Sequence, residues 1–422
     1  MYKLNYYKNL SLNFTEFLTQ SLAFFFIYKF AIFKIGLESF GLYVVILTYT
    51  SLIKLIDFGI SYSALRYLSK KNVTKKEQEN IIDTSFTFYF VYFLCVSIIS
   101  YYFLSYLYKY IILDKEYFLT NNEYLELLKY SIFYVYLSIL SGFFSNLIRG
   151  LHNYYLFSIT KIIGLLIQTI FLIILIDQNK IAALFQVQII NHFFLNIVGV
   201  FIVFKLTNSF PKFFYNFSYK TFKKLYKYGI KFYFGNSLVY IFELSQKIFI
   251  NHFGNFQLVG AYEVAYRLVT FLRQILALPI INYFPILNFE MNIIRKTRDN
   301  FFDNKIKNIF VKKISLFIFI LFIIMAYPLS LIFFDEMNIF FISSIILLSI
   351  GNYINFLASP NYIEYLSRGL FSKIIISNSM AVVLFALFSI ILGHLYSSYG
   401  IVISVSLSMF ISSYYLIYTY ER

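Results

Sequence analysis

Long apolar runs separated by short polar stretches recur from one end of this chain to the other. Twelve of them approach or exceed the roughly 20 residues that an α-helix needs to cross about 30 Å of hydrocarbon. They lie at about 11–33, 39–60, 81–108, 127–148, 155–176, 181–204, 232–253, 257–287, 314–334, 337–358, 374–395 and 398–420. The pattern predicts an all-α polytopic membrane protein with about twelve transmembrane helices. It leaves little chain for any domain outside the bilayer. Composition agrees: 60% of the residues are hydrophobic and only 13% are charged, where a soluble domain carries about 25% charged residues. With a mean hydropathy of +0.70, one globular core under a charged surface is excluded.

The placement of charge orients the spans. Lys3 and Lys8 precede the first span, which contains Glu16 and Gln20 and no small-residue cleavage site, so it is expected to stay in the mature protein. If the N-terminus is cytoplasmic, twenty-five of the 36 Lys and Arg fall on the cytoplasmic side. Four (Lys34, Lys109, Lys115 and Lys180) fall on the other side, and the rest sit within spans or at their edges. The positive-inside rule then places both termini in the cytoplasm. It also explains the formal charge of +16 without nucleic acid, because basic segments beside a membrane hold topology and meet anionic lipid.

The longest polar stretch, Thr207 to Lys231, divides the chain into six spans before and six after. This gives an N-terminal six-helix lobe at 1–206, a cytoplasmic basic linker at 207–231 and a C-terminal six-helix lobe at 232–422. Within the linker, Phe213, Phe214, Phe217 and Leu225 alternate with Lys220, Lys223, Lys224 and Lys227, as in a helix lying on the inner leaflet; a merely solvated linker is the other reading. The halves begin alike. Ser21-Leu22 is followed by Gly41-Leu42-Tyr43 at the start of the second span, and Ser237-Leu238 by Gly260-Ala261-Tyr262 at the start of the eighth, although a third Gly-x-Tyr occurs at Gly351. Because six is even, repeated halves share one orientation, with an axis along the membrane normal and a substrate path between them.

Little else in the sequence suggests bond-making chemistry. A single cysteine, Cys95, excludes a disulfide framework and a thiolate metal site. His152, His192, His252 and His394 fall in separate segments without ligand spacing. There is no Gly-rich phosphate loop, nucleophile elbow or HExxH, so no catalytic or metal-binding residues are expected. The longest outer connection, about 109–126 with Asp114, Glu116, Glu123 and Glu126, is short for a glycan polymerase or ligase.

Several segments resemble a known family. Gly36-x-Glu38-x-Phe40-Gly41-Leu42-Tyr43, then Leu55-Ile56-Asp57-Phe58-Gly59-Ile60 and Arg66, resemble the opening of the Wzx-type lipid-linked oligosaccharide flippases. These are polysaccharide exporters of the multidrug/oligosaccharidyl-lipid/polysaccharide (MOP) superfamily. Arg149-Gly150-Leu151, Gly260-Ala261-Tyr262, Ala265-Tyr266-Arg267-Leu268 and Phe284-Pro285 add to the likeness. The resemblance covers spans 1 to 10. It implies two six-helix lobes enclosing a V-shaped, MATE-like cavity, and movement of an undecaprenyl-pyrophosphate-linked oligosaccharide (an O-antigen, capsule or exopolysaccharide repeat unit) across a bacterial inner membrane by alternating access. No cofactor is implied. Coupling to a proton or sodium gradient would fall to Asp57, Glu243 or Glu263, and other glycan-assembly membrane proteins are candidate partners.

Charges within spans supply the candidate site. A charge at the bilayer centre costs about 2.5–3.5 kcal/mol on insertion scales, so such residues face protein or a wet cavity. Lys54 and Asp57, Glu243 and Lys247, and Glu263 and Arg267 are spaced to share a helix face; mutual neutralisation that eases insertion is the plainer reading of each pair. Arg273, beside Gln274, has no acidic partner within a turn. Arg267 and Arg273 suit pyrophosphate or acidic sugars, since guanidinium forks match phosphate and carboxylate oxygens. Lys247, Glu243, Glu263 and Lys29 complete the expected substrate-binding set, although snorkelling accounts for Lys29 equally well. On the cytoplasmic side Glu16, Lys54, Asp57, Arg149 and Lys161 are candidates for a gate or for headgroup recruitment, with a topology anchor as the other reading of Arg149. Pro279, Pro285 and Pro328 predict helix bends. A cation-coupled drug exporter of the same superfamily is the main alternative, and a glycan polymerase or a purely structural membrane protein are weaker ones.

Overall fold

The computed structural model describes residues 2–56, 58–69, 73–111, 121–151, 153–208, 217–293, 307–368 and 370–421. All regular structure among them is helical. Helix α1 (Tyr2–Ile35) is separated from α2 (Leu37–Ser51) by Gly36 alone, at φ 81°. A 3-10 turn over Leu52–Ile56 extends α2. There follow α3 (Ile60–Leu68), α4 (Lys75–Ile111), α5 (Asn121–Gly150), α6 (Tyr154–Thr207), α7 (Tyr219–Phe253) and α8 (Phe256–Ile293). After a π-helical stretch at Lys307–Ile314 come α9 (Ser315–Ile324), α10 (Ala326–Phe334), α11 (Ile339–Leu357), α12 (Ser359–Ser367) and α13 (Phe371–Glu421). Among the described residues, seven helices are long and apolar enough to cross a membrane, or eight if the bent α9–α10 pair is one span. The protein is therefore an all-α, multi-pass membrane protein. Helices α7 and α8, which carry five of the six expected substrate-binding residues, lie outside that set.

Helices α6 and α13 run to 54 and 51 residues. At 1.5 Å per residue either would be more than twice as long as a bilayer core is thick. Each is in fact two helices joined by one residue of reversed backbone sign: Lys180 (φ 45°, ψ −119°) and Ser397 (φ 51°, ψ −137°). Contacts across each joint show that the chain doubles back. Asn191 Nδ2 donates to Gln168 Oε1 at 2.8 Å and Asn179 Nδ2 to Gln186 Oε1 at 2.7 Å. In α13, Ser377 Oγ donates to the Ser412 carbonyl at 2.8 Å. Both joints fall at the short polar interruptions that separate the expected spans at 155–176 and 181–204, and at 374–395 and 398–420.

One expected span needs correction, and another shows its expected bend. The second, placed at 39–60, ends as helix by Ile56, because Phe58 (φ 51°) and Gly59 (φ 67°) turn the chain before α3. The ninth, placed at 314–334, is bent by 46° between α9 and α10. Pro328 causes this: its ring collides with the carbonyl of Ile324 and it offers no N–H to it. Helix α8, by contrast, remains one helix through Pro279 and Pro285.

The chain separates into two compact units. One gathers residues 1–21, 28–45 and 237–422; the other gathers 22–27 and 46–236. In the second unit, α5 packs along both arms of α6, with Gly199 against the Phe144 side chain. Asn146 Nδ2 ties α5 to α3 through Ser61 Oγ at 3.2 Å. The first part of α7 belongs here. Ser63 Oγ donates to the Leu225 carbonyl at 2.7 Å, and Gly59 and Gly229 meet backbone to backbone. The Arg66 guanidinium lies 3.9 Å over the Tyr228 ring, while Lys224 Nζ lies 4.6 Å over Tyr67. The basic segment thus becomes helical from Tyr219 and runs unbroken into the seventh expected span. Its Leu225 is buried, and Lys220, Lys223, Lys224 and Lys227 are exposed. Residues 212–216 lie outside the described residues.

In the first unit, α11 is flanked by α8 and α13. Gly351 lets α11 approach the Ser406 backbone, and Ser406 Oγ donates to the Leu347 carbonyl at 2.6 Å. The two Gly-x-Tyr segments face one another here. A Cβ on Gly41 would overlap the Phe256 carbonyl and sit 3.2 Å from the Gly260 nitrogen. One on Gly260 would sit 2.9 Å from the Leu37 carbonyl oxygen and 3.3 Å from the Gly41 nitrogen. Leu37/Gly41 and Phe256/Gly260 therefore exchange equivalent contacts, with Leu42, Tyr43, Ala261 and Tyr262 buried around them. A further recurrence appears at the same offset: Arg149-Gly150-Leu151, closing α5, returns as Arg368-Gly369-Leu370 after α12.

Because the neighbours at the crossing are backbone atoms that cannot swing aside, Gly41→Ala and Gly260→Ala should each destabilise the protein by about 1–3 kcal/mol, the usual cost of overpacking. Gly142→Ala, where an added Cβ meets nothing, should not. Thermal unfolding of the three variants in one detergent checks this, and equal midpoints for Gly41→Ala and Gly142→Ala would contradict the crossing.

Candidate functional site

The site begins with helical spacing on α7 and α8. Glu243, Gln246 and Lys247 share one face of α7, and Tyr262, Glu263, Tyr266 and Arg267 share one of α8. Their packing buries Glu263 to 1% exposure. A carboxylate so placed requires partners, and it has three. Lys247 Nζ lies 2.7 Å from Oε2, Arg267 Nε donates to Oε1 at 2.8 Å, and the Tyr28 hydroxyl of α1 donates to Oε1 at 3.2 Å. Arg267 also reaches Glu243, at 3.7 Å. Two acids and two bases form a quartet of zero formal charge. The spacing on α7 suggested a Glu243–Lys247 pair; instead each joins a residue of α8. Tyr262, fully buried, donates to Gln246 Oε1 at 2.5 Å and locks the same two helices together.

Arg273, further along α8, stands apart from the quartet. Its Nη1 donates to Asn355 Oδ1 on α11, and Asn355 Nδ2 donates to Ser413 Oγ on α13 at 3.0 Å. This relay edges a cavity of about 330 Å³ within the first unit, lined among others by Phe242, Tyr266, Arg273, Gln274, Asn352 and Tyr362. Among the described residues Arg273 forms no ion pair, so its guanidinium brings a positive charge to the edge of the cavity.

The other expected residues have other surroundings. Lys29 of α1 donates to the Ile332 carbonyl and lies 3.9 Å from Asp335 Oδ1, a cation at the C-terminal end of α10, where the helix dipole favours it. Glu16 is buried on α1. In the second unit, Lys54 Nζ lies 5.2 Å over the Tyr134 ring. Arg149 and Lys161 approach the single ring of Phe157 at 4.9 and 4.8 Å. Asp57 lies outside the described residues. Sequence reasoning missed Tyr28, Gln246, Asn352, Asn355 and Ser413, because neutral polar residues do not stand out in an apolar run. The one available signal was the Asn352-x-x-Asn355 spacing, which puts two amides on one face of a span.

Comparison with known proteins gives the family. A polysaccharide biosynthesis protein family matches residues 8–288, more than half of the chain. The chain belongs to that family. Its fold is similar to that of solved transporters. The lipid II flippase MurJ in an inward closed conformation has a TM-score of 0.73 at 15% identity, over 95% of this chain and 87% of that one. An inward-facing multidrug resistance MATE family transporter of the MOP superfamily has a TM-score of 0.70 at 12% identity, over 94% and 93%. The Vibrio cholerae MATE transporter VcmN, in a mutant form, has a TM-score of 0.66 at 12% identity, over 99% and 95%. At these identities the likeness is one of fold. Among curated proteins, none has a matching sequence. By family and fold, the chain is a multi-pass membrane member of the polysaccharide biosynthesis protein family with the helical fold of those transporters.

Removing one partner from a buried ion pair leaves an uncompensated charge and costs about 3–5 kcal/mol. Lys247→Met should therefore destabilise the protein by that order, and adding Glu263→Gln should restore part of the loss. Chemical unfolding of wild type, both single variants and the double variant measures the coupling; strictly additive losses would mean that the 2.7 Å contact carries no energy.

Proposed function

We propose that this transporter moves an undecaprenyl-pyrophosphate-linked oligosaccharide from the inner to the outer leaflet of a bacterial inner membrane by alternating access. The observation that carries the reading is Arg273: a cation at an aromatic-walled cavity, in no ion pair among the described residues, in a chain of the polysaccharide biosynthesis family. A glycan needs a wet, hydrogen-bonding path with positive charge for its anionic groups, while the polyprenyl tail stays in lipid. In this reading twelve helices form two six-helix lobes, 1–206 and 232–422, joined by the basic segment 207–231, with both termini cytoplasmic. The common offset of the Gly-x-Tyr and Arg-Gly-Leu segments supports repeated halves of one orientation. Arg273 meets substrate, and Glu243, Lys247, Glu263 and Arg267 hold the wall beside it. Lys29 fixes α10, while Glu16, Lys54, Asp57, Arg149 and Lys161 serve the cytoplasmic gate or headgroup recruitment. Anionic lipid meets the lysines of α7, and other glycan-assembly proteins supply and take the substrate.

A second reading, a cation-coupled drug exporter, is favoured by the number of multidrug transporters among the similar folds. In it Glu243, the more exposed acid of the quartet, takes the coupling proton or sodium ion. The readings differ in what an unpaired guanidinium does: it attracts an anionic glycan lipid and repels a cationic drug.

The leaflet location of lipid-linked oligosaccharide in cells lacking the protein separates them. The glycan lipid should accumulate in the inner leaflet. Wild type should restore export, and Arg273→Ala at equal expression should restore about a tenth of it or less, the loss expected for one charge-assisted contact. An unchanged leaflet distribution together with greater sensitivity to cationic drugs would instead establish drug efflux.

A further inference from the structure

Helix α3 lies at one face of the membrane, because it joins two helices long and apolar enough to cross it, α2 with its 3-10 extension and α4. The first turns of α7 are fastened to this corner of the second unit. Besides the Ser63–Leu225 bond and the Gly59–Gly229 contact, the Tyr233 hydroxyl donates to the Lys54 carbonyl at 2.6 Å, and the Ser218 N–H donates to Thr84 Oγ1 at 3.3 Å. With Leu225 and Gly229 turned inward, the segment holds Lys220, Lys223, Lys224 and Lys227 outward in one exposed stripe at helical spacing.

Two cations of this corner are fixed in place. Arg66 stands over Tyr228 and Lys224 over Tyr67, and the two rings meet edge to face with centroids 6.2 Å apart. The result is a ladder, Arg66–Tyr228–Tyr67–Lys224, with an exposed cation at each end. An aromatic face attracts a cation without neutralising it. Among the described residues none of Arg66, Lys220, Lys223, Lys224 and Lys227 forms an ion pair. Acids are scarce here. Glu77, opening α4, is engaged by the Thr74 N–H, and between Glu126 and Glu243 the only acid is Asp177, at the joint of α6.

Fixed, exposed and uncompensated charge of one sign is suited to an anion. A guanidinium held by its face keeps its edge for a two-point fork on phosphate oxygens. Because the ladder already orders both side chains, binding loses little further side-chain entropy. The surroundings indicate where the phosphate comes from. Tyr62 of α3 and Tyr219 and Tyr226 of α7 are exposed beside the cations, and such rings sit at the level of lipid headgroups.

We propose that the α3–α7 corner is a specific site for an anionic phospholipid, its phosphodiester on the Arg66 guanidinium and the Lys224 ammonium. The outer lysines of the stripe draw the lipid in from the leaflet. The site rests on the contact of α7 with anionic lipid proposed above, which it narrows from a general attraction to one place, and not on what is transported.

The chain has no tryptophan, so Tyr62→Trp, one turn from Arg66 on α3, gives a single fluorescent reporter. The purified full chain carrying it is placed in phosphatidylcholine vesicles containing brominated phosphatidylglycerol or, as reference, brominated phosphatidylcholine. Quenching is read at low salt and at about 1 M salt, where the Debye length is about 3 Å and diffuse attraction is screened. Phosphatidylglycerol should be preferred about tenfold or more at both, as for one charge-assisted contact. Arg66→Gln with Lys224→Gln should remove the preference. Lys220→Gln with Lys227→Gln, which takes the same charge from the same corner, should lower it at low salt only. If the ladder variant does not fold, the ratio of the two lipids at high salt decides. A preference that vanishes at high salt, or equal losses for the two pairs, overturns the site and leaves the general lipid contact; no preference at either salt sinks both. Inorganic phosphate relieving the quenching would assign the cations to a soluble anion and overturn the lipid. An unaltered leaflet distribution of glycan lipid in cells would remove the flippase reading and leave this site standing.

Discussion

The carboxylate of Glu263 sets the terms for the helices around it. An ionised group at 1% exposure among apolar helices is tolerable only if opposite charge and hydrogen bonds reach it in place of water. Lys247, Arg267 and Tyr28 do so from three directions, and each must itself be held. Lys247 fixes the rotation of α7 relative to α8. Tyr28 ties in α1, and Arg267 brings Glu243 to the edge of the cluster. The relative placement of α1, α7 and α8 thus follows from one charge, and these helices cannot be as uniformly apolar as α6 or α13.

Beside this electrostatic clamp lies a steric one. The reciprocal contact of Leu37/Gly41 with Phe256/Gly260 brings the backbones of α2 and α8 together, and Gly351 does the same for α11 and α13. Close backbones leave little room for side chains along those seams. The free volume of the first unit collects elsewhere, around Arg273, where Asn352, Gln274 and the aromatic rings line it with hydrogen-bonding groups and flat faces. Packing by glycine and opening by amide are two sides of one arrangement.

Much of this was legible in the apolar pattern. The interruptions near 180 and 397 foretold both reversals, because a few polar residues between two runs of bilayer length leave the chain no other course. Pro328 foretold the bend between α9 and α10. The break at Phe58 and Gly59 was hidden, since it depends on Gly229 packing against Gly59, and no local rule reports a distant neighbour. At the site, the charged residues were visible but their pairing was not. Spacing showed that Glu243 and Lys247 share a face, yet the rotation of α7 turns Lys247 to Glu263 and leaves Glu243 to Arg267. The amides of α11 drew no notice, because one polar atom in an apolar run has meaning only once its neighbours are known.

The two hairpins bear on how the chain is made. Between Lys373 and Glu421 there is no Asp, Glu, Lys or Arg, and the joint at Ser397 needs one residue of unusual backbone sign to reverse the helix. Nothing ionised has to be carried through hydrocarbon when such a pair enters a bilayer, and the second arm can follow the first as one unit during synthesis. Helix α6 differs only by Asp177 and Lys180 at its joint and by Lys161 and Lys205 near its outer ends. Each pair can thus form from its own two arms, with no ionic partner needed from the charged helices α7 and α8.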